Sequence, residues 1–92
     1  MNIREIIRSD ANEGKLATHG ISWVEVIDLV DSDSWVPTSH PDYPEQVRII
    51  GRTRGGRWLT IVLGPSEDAD TWRPVTGRES DRHEIDYYLE EP

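Results

Sequence analysis

The stretch Gln46-Val47-Arg48-Ile49-Ile50-Gly51-Arg52-Thr53-Arg54-Gly55-Gly56-Arg57-Trp58-Leu59-Thr60-Ile61-Val62-Leu63-Gly64 decides the fold. Two β-rich runs, Gln46–Thr53 and Arg57–Gly64, flank Gly55-Gly56. A Gly-Gly pair between such runs signals a tight hairpin. With a two-residue turn, Thr53 opposes Trp58 and Arg52 opposes Leu59. One face then holds Arg48, Ile50, Arg52, Leu59, Ile61 and Leu63. The other holds Val47, Ile49, Thr53, Trp58, Thr60 and Val62. Both faces are partly apolar, so the hairpin is expected at the centre of a sheet, with its arginines gathered on one face toward the glycines.

Working toward the C-terminus, Gly64 to Asp70 reads as a loop and Thr71–Gly77 as a further strand. Pro74 cannot donate to a ladder, which predicts an edge or a bulge there. Glu79 or Ser80 then starts a last helix with Ile85, Tyr88 and Leu89 as its apolar stripe. Working toward the N-terminus, Trp35 to Glu45 holds three prolines. Trp35-Val36 reads as a short strand and the rest as loop. Ser22 and Glu25 have capping-box spacing, and Trp23, Val26, Ile27 and Val30 recur at helical spacing. A preceding helix is capped by Ser9 or Asp10 and runs to about Thr18, with Leu16 its clearest core residue. Gly20 supplies the left-handed turn between the two helices. Ile3, Ile6 and Ile7 form an apolar opening, either a strand or a helical turn. The expected architecture is α+β: N-terminal helices, an antiparallel β-sheet meander and a C-terminal helix, in one domain over residues 1–92.

Composition narrows the function classes. The chain has 92 residues, of which 35% are hydrophobic, with four Trp and three Tyr adding bulk to a small core. It has no Cys, which places the expectation in the cytoplasm, and no apolar run of the roughly 20 residues a membrane helix needs. The net charge is −8, unevenly spread: residues 1–46 carry −6, residues 47–78 carry +3 and residues 79–92 carry −5. All the bases of the middle segment are Arg, whose rigid fork of donors matches phosphate. The alternative is a solvated surface, and the overall charge would repel nucleic acid at long range.

Two motifs point further. Asn12-Glu13-Gly14-Lys15-Leu16-Ala17-Thr18-His19-Gly20-Ile21-Ser22-Trp23-Val24-Glu25 resembles the opening of BrnT-type toxins. Val75-Thr76-Gly77-Arg78-Glu79-Ser80-Asp81-Arg82-His83-Glu84, followed by Tyr88, resembles that family's closing strand and helix. Ile50-Gly51-Arg52-Thr53 and Gly56-Arg57-Trp58-Leu59 resemble its Gly-Arg strands, so the likeness spans roughly residues 7–90. It implies a RelE-like fold, metal-independent RNA cleavage and a ribbon-helix-helix antitoxin as partner, with no cofactor. The matching positions are His19, Arg52, Arg57, Arg78 and Glu84. The chain departs from the family in its acidic C-terminal helix and in Gly77, where the family has Ala.

RNA cleavage without a metal needs a base for the 2′-hydroxyl, an acid for the leaving 5′-oxygen and cations for the phosphorane. Arg52, Arg57, Arg73 and Arg78 are candidates for the cations, with Arg48 and Arg54 as further phosphate contacts. Arg hardly deprotonates, so His or Glu must move protons. His19 sits at a helix end, where it can equally interact with free carbonyls. His40 precedes Pro41 in a loop and reads as a surface residue. His83 and Glu84 are adjacent on a helix, diverge by about 100° and form no simple dyad. Arg78 lies at a strand-to-helix junction, where it can meet a phosphate beside free helix N–H groups, or pair with Glu79, Asp81 or Glu84. Trp58 and Trp72 can stack on bases or fill the core. The three His lack metal-ligand spacing, so no metal site is expected. Two further classes remain open: a non-catalytic interaction module on the same fold, and a small-anion sensor.

Overall fold

The computed structural model of the chain describes residues 1–90. Three helices and five strands run in the order β1 (Glu5–Ile6), α1 (Asp10–Thr18), α2 (Trp23–Asp31), β2 (Val36–Ser39), β3 (Val47–Arg52), β4 (Trp58–Pro65), β5 (Thr71–Glu79) and α3 (Arg82–Glu90). The fold is α+β. Strands β2 to β5 form the expected antiparallel meander, and β1 joins β5 in parallel to give a mixed sheet of order β1-β5-β4-β3-β2. The Ile3–Ile7 opening is thus a short strand rather than a helical turn, tied in by Arg4 N–H to the Asp70 carbonyl and Ile7 N–H to the Trp72 carbonyl.

The local signals act as read. Ser9 caps α1 by accepting from Asn12 N–H. Ser22 and Glu25 complete a reciprocal capping box on α2, and Gly20 turns the chain between the helices at φ +74°. Both helices lie on one face of the sheet. Leu16, Ile21, Val26, Leu29 and Val30 meet Ile49, Leu59, Ile61 and Leu63 in a single core. Leu29 is wholly buried, whereas Trp23 and Ile27, expected on the buried face of α2, are only half-buried. Strand β2 runs on through Pro37, which the sheet tolerates because β2 is an edge. Pro74 falls at a bulge: Val62 pairs with Thr76 and Leu63 with Pro74, leaving Val75 as the extra residue.

The hairpin register differs from expectation by one residue. Arg52 pairs with Trp58 and Gly51 with Leu59. The cause is the turn, which uses three residues: Thr53 N–H reaches the Arg57 carbonyl, Gly56 N–H reaches the Thr53 carbonyl, and Gly56 takes φ +86°. That is a turn followed by a left-handed bulge residue, and the added residue shifts the pairing. A shift of one exchanges the faces. Ile49, Leu59, Ile61 and Leu63 therefore share the helix-covered face, and Arg48, Ile50, Arg52, Trp58, Thr60 and Val62 share the other. Arg57, next in alternation to Trp58, belongs to the helix-covered side.

Helix α3 crosses the second face near β3. Tyr88 meets Trp58 edge-on at 5.0 Å, and Tyr87 Oη donates to the Pro37 carbonyl. Its apolar contribution is modest, since Ile85 and Tyr88 are half-buried and Leu89, expected on its stripe, is exposed. Its one buried residue is Glu84. On the rest of this second face, Ile50 of β3 and Thr60 and Val62 of β4 are also buried.

Candidate functional site

This second face carries a cleft of about 370 Å³. Its floor is Thr60, Val62 and Thr76 of the central strands, and its walls are Arg48, Arg78, His19 and the segment His40-Pro41-Asp42. Each side chain arrives from a different element. Arg48 and Arg78 come from β3 and β5, on either side of β4, by the period-2 alternation of the strands. His19 is the C-cap of α1, held at the turn by its N–H bond to the Leu16 carbonyl. His40 follows the end of β2.

His40 is set by its own loop. Its Nδ1 accepts from the backbone N–H of Asp42 at 3.1 Å and of Tyr43 at 3.2 Å. A nitrogen that accepts two N–H bonds carries no proton, so the neutral ring is the Nε2–H tautomer and offers Nε2–H as a donor. The two arginines meet at Glu84. Arg78 binds its carboxylate in bidentate fashion, Nη1 at 2.7 Å from Oε1 and Nη2 at 2.9 Å from Oε2. Arg48 Nη1 lies 3.7 Å from the same Oε2. Arg48 Nε also donates to the Ser39 carbonyl at 3.1 Å. Glu84 is only 5% exposed, and it accepts from Asp81 N–H while Asp81 Oδ1 accepts from Glu84 N–H, a capping box that starts α3. The Asp81 carboxyl lies below its ordinary value, chiefly because it accepts the Glu84 backbone N–H and secondarily because Arg78 is close. These bonds occupy two of the backbone N–H groups at the start of α3, those of Asp81 and Glu84. The two guanidiniums face three carboxylates, the buried Glu84, Asp81 at 3.5 Å from Arg78 and Asp42 in the cleft lining, so the formal charges leave no positive excess.

The other sequence candidates lie elsewhere. Arg57 is on the opposite face, where Nη1 donates to the Gly20 carbonyl at 2.8 Å and to Glu25 at 2.9 Å, while Nε reaches Glu79 at 3.2 Å. It ties the α1–α2 turn to the sheet. Burial alone would raise the Glu25 carboxyl, but the Ser22 backbone N–H and the Arg57 guanidinium outweigh it and hold it below its ordinary value. Arg54 sits at the hairpin tip, paired with Asp28 of α2 at 3.2 Å. Arg52 is on the same face as the cleft but at the turn end. Its Nε donates to the Gly56 carbonyl, and its guanidinium lies over Trp58 at 5.8 Å. Arg73 is at the far end, beside a shallow cavity of about 520 Å³ with Ile7 and Pro65 to Asp68. The expected convergence of hairpin arginines therefore does not occur. The cleft unites His19, Arg48 and Arg78, with Glu84 bridging the arginines.

His40 is the site residue that sequence reasoning placed on the surface. Pro41 and Pro44 stiffen its loop, but nothing in the local sequence sets that loop over the sheet. Among the described residues no group of three His, Cys, Asp or Glu is arranged to hold a metal ion. No helix among them is long and apolar enough to cross a membrane. No protein-family model matches the chain, and no curated protein matches it. The class that fold and cleft define is a small α+β domain with two imidazoles and two guanidiniums around one concave patch.

Proposed function

We propose that the chain is a BrnT-like, RelE-like toxin that cleaves RNA at this cleft without a metal or cofactor, held in check by a ribbon-helix-helix antitoxin in the cytoplasm. The observation that carries the reading is the meeting of Arg48 and Arg78 on one carboxylate. Glu84 already holds the point where these guanidiniums meet, so a phosphodiester binds there by displacing that carboxylate. His19, at a turn on the rim, takes the 2′-hydroxyl proton as general base. The 2′-oxygen attacks phosphorus, the bond to the 5′-oxygen breaks, and that oxygen takes a proton from water. The products are a 2′,3′-cyclic phosphate and a 5′-hydroxyl. His40 donates from Nε2–H to a phosphate oxygen, and the guanidiniums stabilise the charge that grows on the phosphorane.

The test is incubation of the purified chain with RNA in EDTA, alongside expression in cells. The expected result is fragments ending in cyclic phosphate and growth arrest, both abolished by His19→Ala. Intact RNA at high protein concentration with normal growth would remove the nuclease reading.

A second reading, a non-catalytic interaction module on the same fold, is favoured by one observation: Arg48, Arg54, Arg57 and Arg78 all have carboxylate partners. It predicts that His19→Ala and Arg78→Ala leave any cellular phenotype unchanged.

A further inference from the structure

We propose that Glu84 is a built-in competitor for the anion site and that α3 is the strap that carries it, so that docking of α3 and binding of a phosphodiester exclude one another. The proposal rests on the reading of the cleft above and adds its regulation. A guanidinium fork takes carboxylate and phosphate in the same two-bond geometry, and Glu84 has that geometry: Oε1 lies 2.7 Å from Arg78 Nη1 and Oε2 lies 2.9 Å from Nη2. Arg48 Nη1 stands 3.7 Å from the same Oε2, so one carboxylate occupies both cations. Both arginines belong to strands of the sheet, β3 and β5, whereas Glu84 belongs to the nine-residue helix that follows them. The competitor therefore stands on a different element from the site it fills.

The fastening of α3 suits release. A permanently docked helix buries an apolar stripe, but the one buried side chain of α3 is Glu84 itself. Ile85 and Tyr88 are half-buried and Leu89 is exposed. The remaining ties are the edge-on contact of Tyr88 with Trp58 and the 3.4 Å bond from Tyr87 Oη to the Pro37 carbonyl. An anion that takes Arg78 and Arg48 removes the bidentate tie, and elements that move on binding are drawn from the weakly held parts of a fold. Linkage makes the coupling reciprocal: a change that weakens α3 docking strengthens anion binding. A purely structural Glu84 predicts the opposite sign, because loosening the two arginines would weaken any anion site they form. Glu84 Oε1 also accepts from Asp81 N–H at 2.9 Å, so a carboxylate that leaves Arg78 disturbs that bond as well.

The experiment uses the full chain and two probes followed by NMR: inorganic phosphate, and a 2′-O-methyl dinucleoside monophosphate, a phosphodiester that lacks the attacking hydroxyl. Glu84→Gln removes the competing charge and keeps a carbonyl acceptor for Asp81 N–H. Asp86→Asn removes the same charge from α3 at a residue whose ion partner is Arg82, not Arg48 or Arg78. Glu84→Gln is expected to bind both probes about fivefold more tightly than the parent, the size of a partly exposed ion pair, and Asp86→Asn within about twofold of it. Binding by Glu84→Gln alone is the same result in its extreme form. In the parent chain, saturation with either probe is expected to move the Asp81 amide proton upfield as its bond to Glu84 is lost, a readout that needs no substitution. Glu84→Gln binding no tighter than Asp86→Asn, or a bound probe with the Asp81 amide unmoved, overturns the competitor role and leaves the cleft reading standing. Absence of binding to both the parent and Glu84→Gln overturns the cleft reading and this inference with it.

Discussion

Replacing Glu84 by Ala tests how the C-terminal helix is attached. Helix α3 has little apolar surface to bury, so its attachment depends on polar contacts that converge on one carboxylate. Truncation removes three things. The capping-box bond to Asp81 N–H is lost, worth about 1 kcal/mol. The bidentate bond to Arg78 is lost, and because that side chain is 49% exposed its contribution is discounted to about 1 kcal/mol. Arg48, 3.7 Å away, loses its only carboxylate neighbour among the described residues, at a cost of about 0.5 kcal/mol. Together these amount to about 2–3 kcal/mol, a large share of the roughly 5–10 kcal/mol expected of so small a domain. With a urea slope near 1–1.5 kcal/mol/M, the unfolding midpoint should fall by about 2 M at unchanged slope. Glu84→Gln keeps one carbonyl acceptor and should recover about half of the loss. Urea unfolding followed by circular dichroism and by Trp fluorescence measures both. A midpoint shift under about 0.5 M for Glu84→Ala would refute the view that this carboxylate pins α3 to the sheet.

Acid should destabilise the fold through Glu25. Its carboxyl is held below the ordinary value of 4.5, so the stabilisation is complete above that value and is lost as pH falls through the lower folded one. Stability measured against pH should be flat above about pH 5 and decline below, and Glu25→Gln should flatten the decline. Gly51→Ala should cost about 1–3 kcal/mol in thermal unfolding, because a Cβ there lies 2.7 Å from Leu29 Cδ1 and 3.2 Å from the Trp35 backbone. Nitrogen-15 NMR of the neutral His40 ring should show an unprotonated Nδ1, and a protonated Nδ1 would contradict the loop geometry.

The residues that were readable acted locally. Ser22 and Glu25 are three apart, Ser9 and Asn12 likewise, and such pairs meet whenever the helix forms. Pro74 announced an edge or a bulge, and the bulge is what forms, because a missing N–H is a property of the residue itself. His40 was not readable, since its place depends on where the end of β2 lies relative to β5, an arrangement that no short window encodes. Arg57 misled for a similar reason: its two carboxylates, Glu25 and Glu79, stand 32 and 22 positions away.

By itself the sequence determined the α+β class, the order of the elements from the first helix onward and the helix caps, because those rest on interactions within about four residues and on periodicity. Tertiary structure decided the faces. A single additional residue in the Thr53–Arg57 turn moved Arg48 onto one side of the sheet with Trp58 and left Arg57 on the other. Side chains alternate with period two, so a count of one in the turn is enough to choose which arginines meet across the strands.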